Sequence, residues 1–346
     1  MSLLQLPPEI VICIFESVGS AYFRTDLSRL TVSQQWSEFA KPACYGDFNV
    51  TQRTLRRLMR SPHVDSSLDI IKKSVRVLHL RLPGFEDWDG DLHATDAASP
   101  MSRRSTSLLQ LREMWSEELK GDLHELATTI RQSPRLRVLR IHATTEMHPR
   151  YNLPHREYLA RSALCDLLFV SNLTVLDLDL CGSPSRSRGD QELGQEFHIC
   201  SSIAKHLTTL QRLRLRMRRL CPDALKPQEN SSNLRLNEVL VNLSLAGVSR
   251  GIIACTRAVH CSLMGGLVST LEKQAKLLVA QMEAPSIVRI LTHTRPSLKM
   301  HALDILTGRT LVLDEGADWD DDGEAMKDDS LDERSGIPDL PSDDDE

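Results

Sequence analysis

Five arginines, Arg212, Arg214, Arg216, Arg218 and Arg219, fall within eight residues. Guanidinium groups at that density recognise anions, either carboxylates of a protein or phosphates of a nucleic acid. The first three alternate with Leu213 and Leu215, and a period of two places them on one side of a β-strand. Aromatic residues make up only 4% of the chain, which leaves few platforms on which unpaired bases would stack. An exposed strand face is therefore the expected reading, with nucleic-acid binding as its alternative. The histidine–cysteine pairs His198-x-Cys200 and His260-Cys261 each lack a second ligand pair at zinc spacing, so a core cysteine beside a surface histidine is expected. There is no G-x-x-x-x-G-K-[ST], no G-x-G-x-x-G and no H-E-x-x-H. The expectation is a chain with no catalytic residues, no metal and no cofactor. A cysteine and a histidine meeting in the fold as nucleophile and base is left open by the sequence.

The arginine run belongs to a larger pattern. Leu-x-x-Leu-x-Leu recurs as Val75-x-x-Leu78-x-Leu80, Leu136-x-x-Leu139-x-Ile141, Leu173-x-x-Leu176-x-Leu178, Leu210-x-x-Leu213-x-Leu215 and Leu236-x-x-Val239-x-Val241. Such repetition is the signature of a leucine-rich repeat. The spacing between instances is uneven, so helices or loops of different length must separate them. Leu111, Trp115, Leu119, Leu123, Leu126 and Ile130 recur at helical spacing, as do Leu193, Phe197, Cys200, Ala204 and Leu207. Strand alternating with helix predicts a parallel, right-handed solenoid with helices on its outer side; a generic α/β core with leucine-rich strands is the alternative. In the solenoid the residues between the leucines face solvent: His79, Arg81, Arg140, His142, Asp177, Asp179, Arg214, Arg216 and Asn242. Two basic zones around an acidic pair would suit a protein target of complementary charge. Segments 86–107 and 183–196 read as surface loops. Ala302 to Leu306 and Leu311 to Leu313 read as strands of a terminal cap.

At the amino end, Pro7 and Pro8 suit a first helical turn and Glu9 suits its dipole. Ile10, Ile14 and Val18 follow at helical spacing, and Gly19 ends the helix. Asp26 is a good cap for a short second helix with Leu27 and Leu30; Val32, Trp36, Phe39 and Ala40 mark a third, stopped by Pro42. Helices this short cannot bury both sides of their apolar stripes alone, so the surplus face needs a partner, either the rest of the chain or another protein.

These residues resemble a known family. Leu6-Pro7-x-Glu9-Ile10, Ile14-Phe15, Asp26-Leu27, Leu30 and Val32-x-x-x-Trp36 look like an F-box over roughly residues 6–42. The loop from Gly19 to Thr25 is longer than usual, and Ser33 stands where the family commonly has cysteine. The resemblance implies docking on a Skp-type adaptor, and through it on a cullin, by a surface of Leu6, Pro7, Ile10, Ile14, Leu27, Leu30, Val32 and Trp36. The leucine-rich body and acidic close also resemble the fungal type of F-box protein.

From Asp314 onward there are 16 acidic against two basic residues, while residues 1–313 carry 40 basic against 31 acidic. So charged a segment cannot fold alone, and a disordered tail over 314–346 is expected, in weak salt-sensitive contact with the basic body. Eight cysteines without a dense framework fit a reducing compartment, the cytosol or nucleus. No apolar run is long enough for a membrane helix. The expected architecture is α/β: a three-helix F-box-like module over 1–46, an irregular leucine-rich repeat-like body over 47–313, and the tail. The expected function is that of a non-catalytic substrate receptor of a ubiquitin ligase, with an unknown protein substrate. A leucine-rich scaffold without ligase function, or a nucleic-acid binder, is the alternative.

Overall fold

The computed structural model describes residues 3–84, 108–143, 158–180, 199–217, 219–227, 233–243, 253–254, 264–293, 299–314 and 316–325. Helix α1 (Pro8–Val18) opens on Pro7 and Pro8, where a missing N–H breaks no helical bond. Gly19 ends it at φ +83°, its N–H donating to the Phe15 carbonyl at 3.0 Å. The segment after Gly19, expected as a loop, is a short helix, α2 (Ser20–Thr25), that carries Phe23 to full burial. The second expected helix is instead one 3-10 turn, Leu27–Leu30, started by the Asp26 carboxylate accepting from the Ser28 N–H at 3.0 Å. Ser33 Oγ accepts from the Trp36 N–H at 3.1 Å and starts α3 (Gln34–Cys44). Pro42 does not stop this helix. It removes one backbone bond, but burial of Ala43 and Cys44 in the next turn holds the helix to its end.

The module has its own core. Val11, Phe15, Phe23, Ala40, Ala43 and Cys44 are buried together, with Leu6, Ile14, Leu30 and Trp36 packed around them. Phe15 meets Phe23 and Trp36 edge to face at centroid distances of 5.6 and 4.6 Å, a geometry that suits the ring quadrupoles. Trp36 Nε1 donates to the Arg29 carbonyl at 2.5 Å, which ties α3 to the 3-10 turn.

The body is an α/β arrangement around a ten-stranded, mostly parallel sheet. Its parallel strands are β1 (Asp47–Thr51), β2 (Val77–Leu82), β3 (Val138–Ala143), β4 (Val175–Leu180), β5 (Arg212–Met217), β6 (Glu238–Asn242) and β7 (Ile287–His293), side by side in chain order. Three antiparallel strands complete it: β8 (Met300–Asp304), β9 (Thr310–Leu313) and β10 (Glu324–Ala325). Between the parallel strands run α4 (Gln52–Met59), α5 (Val64–Ser74), α6 (Leu108–Arg131), α7 (Arg161–Leu167), α8 (Ile199–Ala204) and α9 (Met264–Val279). Leu78, Leu80, Leu139, Ile141, Leu176, Leu178, Leu213 and Leu215 share one core with Trp115, Leu123 and Ile130 of α6, Leu164 of α7, Ile203 of α8 and Leu271 of α9. The helices therefore cover one face of the sheet and leave the other open.

Each parallel strand after β1 begins in the same way. Two consecutive N–H groups donate to one carbonyl of the preceding unit: Arg76 and Val77 to Gly46, Arg137 and Val138 to Arg76, Thr174 and Val175 to Arg137, Gln211 and Arg212 to Thr174, Asn237 and Glu238 to Gln211, Ser286 and Ile287 to Asn237. The leading residues of the five sequence patterns, Val75, Leu136, Leu173, Leu210 and Leu236, sit just before these points, fully buried. Strands β1 and β7 share the frame but begin on Tyr45 and Pro285, so the leucine pattern did not disclose them.

The acidic close does not leave the fold at Asp314. Residues 316–325 return to the sheet, and β10 pairs with β9. Residues 326–346, the expected loops at 86–107 and 183–196, and His198, His260 and Cys261 lie outside the described residues. No helix among the described residues is long and apolar enough to cross a membrane.

Candidate protein-interaction surfaces

The first surface is on the helical module. Of the eight residues expected to form or support it, Leu6, Ile14, Leu30 and Trp36 pack against the module's core. Pro7 is exposed at the start of α1. Ile10, Leu27 and Val32 are 48%, 62% and 66% exposed. Helical spacing puts Ile10, Ile14 and Val18 on one stripe of α1, and Val18, absent from the expected set, is exposed as well. The remaining pair, Leu27 and Val32, flanks the residues of the 3-10 turn and the linker to α3. Apolar side chains that the local core leaves in water favour burial against another surface.

The second surface is the open face of the sheet. Parallel register aligns side chains in rows across neighbouring strands. One row runs His79, Arg140, Asp177, Arg214, Leu240 and Arg289; the next runs Arg81, His142, Asp179 and Arg216. Of the nine residues expected to face solvent, eight stand on this face in the two-basic-zones pattern, whereas Asn242 is 1% exposed, its amide 3.8 Å from the Met300 sulfur. Most of them are half-buried rather than free in solvent. Arg216 donates from Nε and Nη2 to the two oxygens of Asp179 at 2.7 and 2.5 Å. Arg214 Nε donates to Glu238 at 3.1 Å and its Nη2 lies 2.5 Å from Asp320. Arg212 reaches the same two carboxylates, at 2.6 and 3.2 Å. Its Nε contact with Glu238 is an ion pair without hydrogen-bond alignment.

The other basic zone is less balanced. His79 and His142 meet edge to face, with centroids 4.8 Å apart. Burial, then the charges of His142, Arg81 and Arg140, push the His79 pKa down to about 4, against a smaller pull from Asp177. His142 Nε2 lies 3.7 Å from Asp177, too far for a hydrogen bond. Arg81 and Arg140 have no carboxylate partner among the described residues.

Glu238, Arg289, Trp319 and Asp320 complete this face and were not among the expected site residues. Arg289 occupies the same frame as the other strand residues, hidden because its unit begins on proline. Asp320 and Trp319 were assigned by composition to the tail. Partial burial raises the Asp320 carboxyl, but Arg214 and then Arg212 outweigh it and hold its pKa below the ordinary value. On Arg214 the bond to Glu238 and the charge of Asp320 outweigh burial and keep the guanidinium protonated.

No cluster of three metal-ligating side chains occurs among the described residues, and Cys200 is a core residue. Gly247-Val248-Ser249-Arg250-Gly251 carries the Gly-x-Ser-x-Gly spacing of an esterase elbow and lies outside the described residues. Comparison with protein-family models, with curated proteins and with solved structures gives no match for this chain.

Proposed function

We propose that this chain is a non-catalytic substrate receptor of a cullin-based ubiquitin ligase. The amino-terminal helices dock on a Skp-type adaptor, and the open face of the sheet holds a protein target. The body is an irregular leucine-rich repeat-like solenoid that fixes the distance between them. Its contribution to catalysis is proximity, since holding a target near the ligase raises the local concentration of target lysines.

One observation carries the reading: the helical module builds a core of its own around Phe15 and still presents Ile10, Leu27 and Val32 to water. A module that only capped the body would spend its apolar residues inward. The internal pairing of Arg212, Arg214 and Arg216 with Glu238, Asp320 and Asp179 favours a protein partner over a nucleic acid, which needs unpaired cations for its phosphates.

The test is capture of a purified Skp-type adaptor at low and high salt by the wild-type chain and by an Ile10→Asp/Leu27→Asp/Val32→Asp variant. Apolar docking predicts capture that survives high salt and is lost in the variant while its circular dichroism is unchanged. No capture by the folded wild-type protein sinks the ligase reading and leaves a leucine-rich scaffold.

A further inference from the structure

Residues Ala317 to Asp322, of sequence Ala-Asp-Trp-Asp-Asp-Asp, lie against the open face much as a bound peptide would. Trp319 sits 5.2 Å from the Arg216 guanidinium and packs on the apolar patch of Leu240, Leu291, Ala302 and Leu313. Asp320 offers one oxygen to Arg212 and the other to Arg214. Arg289, only 6% exposed, donates from Nη1 to the Asp321 carbonyl at 2.7 Å and reaches the Trp319 carbonyl at 3.5 Å. An indole, the carboxylate next to it and main-chain carbonyls are all recognised at once. That combination belongs to a polypeptide.

The hold on this segment is light. Trp319 and Asp320 are half-buried, and Asp318, Asp321 and Asp322 are exposed. The segment connects β9 to the two-residue strand β10, which pairs with β9 through two residues. The site underneath is heavier: Arg289 is a buried cation, and without carbonyl acceptors above it would leave donors unsatisfied. The segment supplies those acceptors, and it is held by the Asp320 ion pairs, the Arg289 hydrogen bonds and the packing of Trp319.

We propose that this region of the open face is a peptide-binding site for a partner segment in which an aromatic residue is followed by acidic ones, and that Ala317–Asp322 is its built-in occupant, displaced when the partner binds. The proposal rests on the target-binding reading of the open face and is independent of adaptor docking. It places the specificity of the receptor at Arg212, Arg214, Arg216 and Arg289.

The test is fluorescence anisotropy of a labelled synthetic peptide, Ala-Asp-Trp-Asp-Asp-Asp, titrated with the full chain. Two variants open the site by different means. Asp320→Asn removes the ion pairs to Arg212 and Arg214. Gly323→Ala puts a Cβ 2.5 Å from the Val312 carbonyl oxygen, so the segment must shift from the sheet. A tethered occupant competes at high effective concentration, so both variants are expected to bind the peptide at least about tenfold tighter than wild type. Adding Arg214→Gln should abolish the gain, and replacing tryptophan by alanine in the peptide should weaken binding. Equal affinity of wild type and both variants overturns the proposal, as does equal binding of hexa-aspartate, which would show charge attraction alone. Adaptor capture by the same proteins is scored in parallel: its loss with peptide binding intact sinks only the ligase reading, and the reverse sinks only this one.

Discussion

Arg214, in the middle of the sheet, and Asp320, in the acidic close of the chain, lie 2.5 Å apart on the open face. Both are mostly shielded from solvent, with side-chain exposures of 15% and 31%. The pair is one of the contacts that join the basic body to the acidic close, beside Arg212–Asp320 and the Arg289 hydrogen bonds. A double-mutant cycle with Arg214→Gln and Asp320→Asn, read by urea unfolding, is expected to give a coupling of about 1 kcal/mol that shrinks as salt is added. Additive effects of the two substitutions would show that the pair does not form in solution.

His79 is expected to titrate near 4. A histidine whose folded pKa lies below its unfolded value near 6.5 supports the fold fully above 6.5. That support is lost as pH falls from 6.5 through about 4, because the unfolded chain takes up the proton first. Burial is the main cause, and His142, Arg81 and Arg140 add to it while Asp177 opposes. Imidazole NMR signals followed from pH 8 to 3 provide the check; a midpoint close to 6.5 would contradict the packed face.

Ser33 is the cap of α3 through its bond to the Trp36 N–H. Ser33→Ala should cost about 1 kcal/mol, while Ser33→Asp, which keeps an acceptor and adds a charge suited to the helix dipole, should restore it. Thermal unfolding of the two variants side by side decides this, and equal melting temperatures would remove the cap from the account.

Leu178 is fully buried between β4 and the helices, and Leu27 is 62% exposed. Truncation to alanine should cost about 2–5 kcal/mol at Leu178 and stay within about 0.5 kcal/mol at Leu27. Chemical denaturation measures both. A large loss at Leu27 would mean that it supports the fold, and so could not be reserved for a partner.

The strands β2 to β6 were legible because leucines recur at fixed offsets, and those offsets are what a strand and its preceding turn require. β1 and β7 were not legible, since Tyr45 and Pro285 fill the leading position with different side chains in the same backbone frame. The helix α1 followed from its prolines and apolar spacing, and α3 from spacing alone, its Ser33 cap emerging only in the structure. Pro42 misled, because a tertiary core can hold a helical turn that local propensity opposes. On the open face every expected residue but Asn242 was placed by the period of two. Its partners Glu238 and Asp320 escaped, the first because it lies beyond the clean repeats and the second because composition alone made its surroundings look unable to fold. Composition predicts whether a segment can fold by itself; it does not say whether a basic surface elsewhere will hold it.

The chain-order arrangement of the parallel strands also bears on synthesis. As the polypeptide emerges from the ribosome, each new strand finds its hydrogen-bonding neighbour already made, so the sheet can be laid down one row at a time from β1. Trp319 and Asp320 are translated after every arginine they cover. Until then Arg212 and Arg214 share Glu238 as their carboxylate, and Arg289 lacks the Trp319 and Asp321 carbonyls to which it donates in the finished protein.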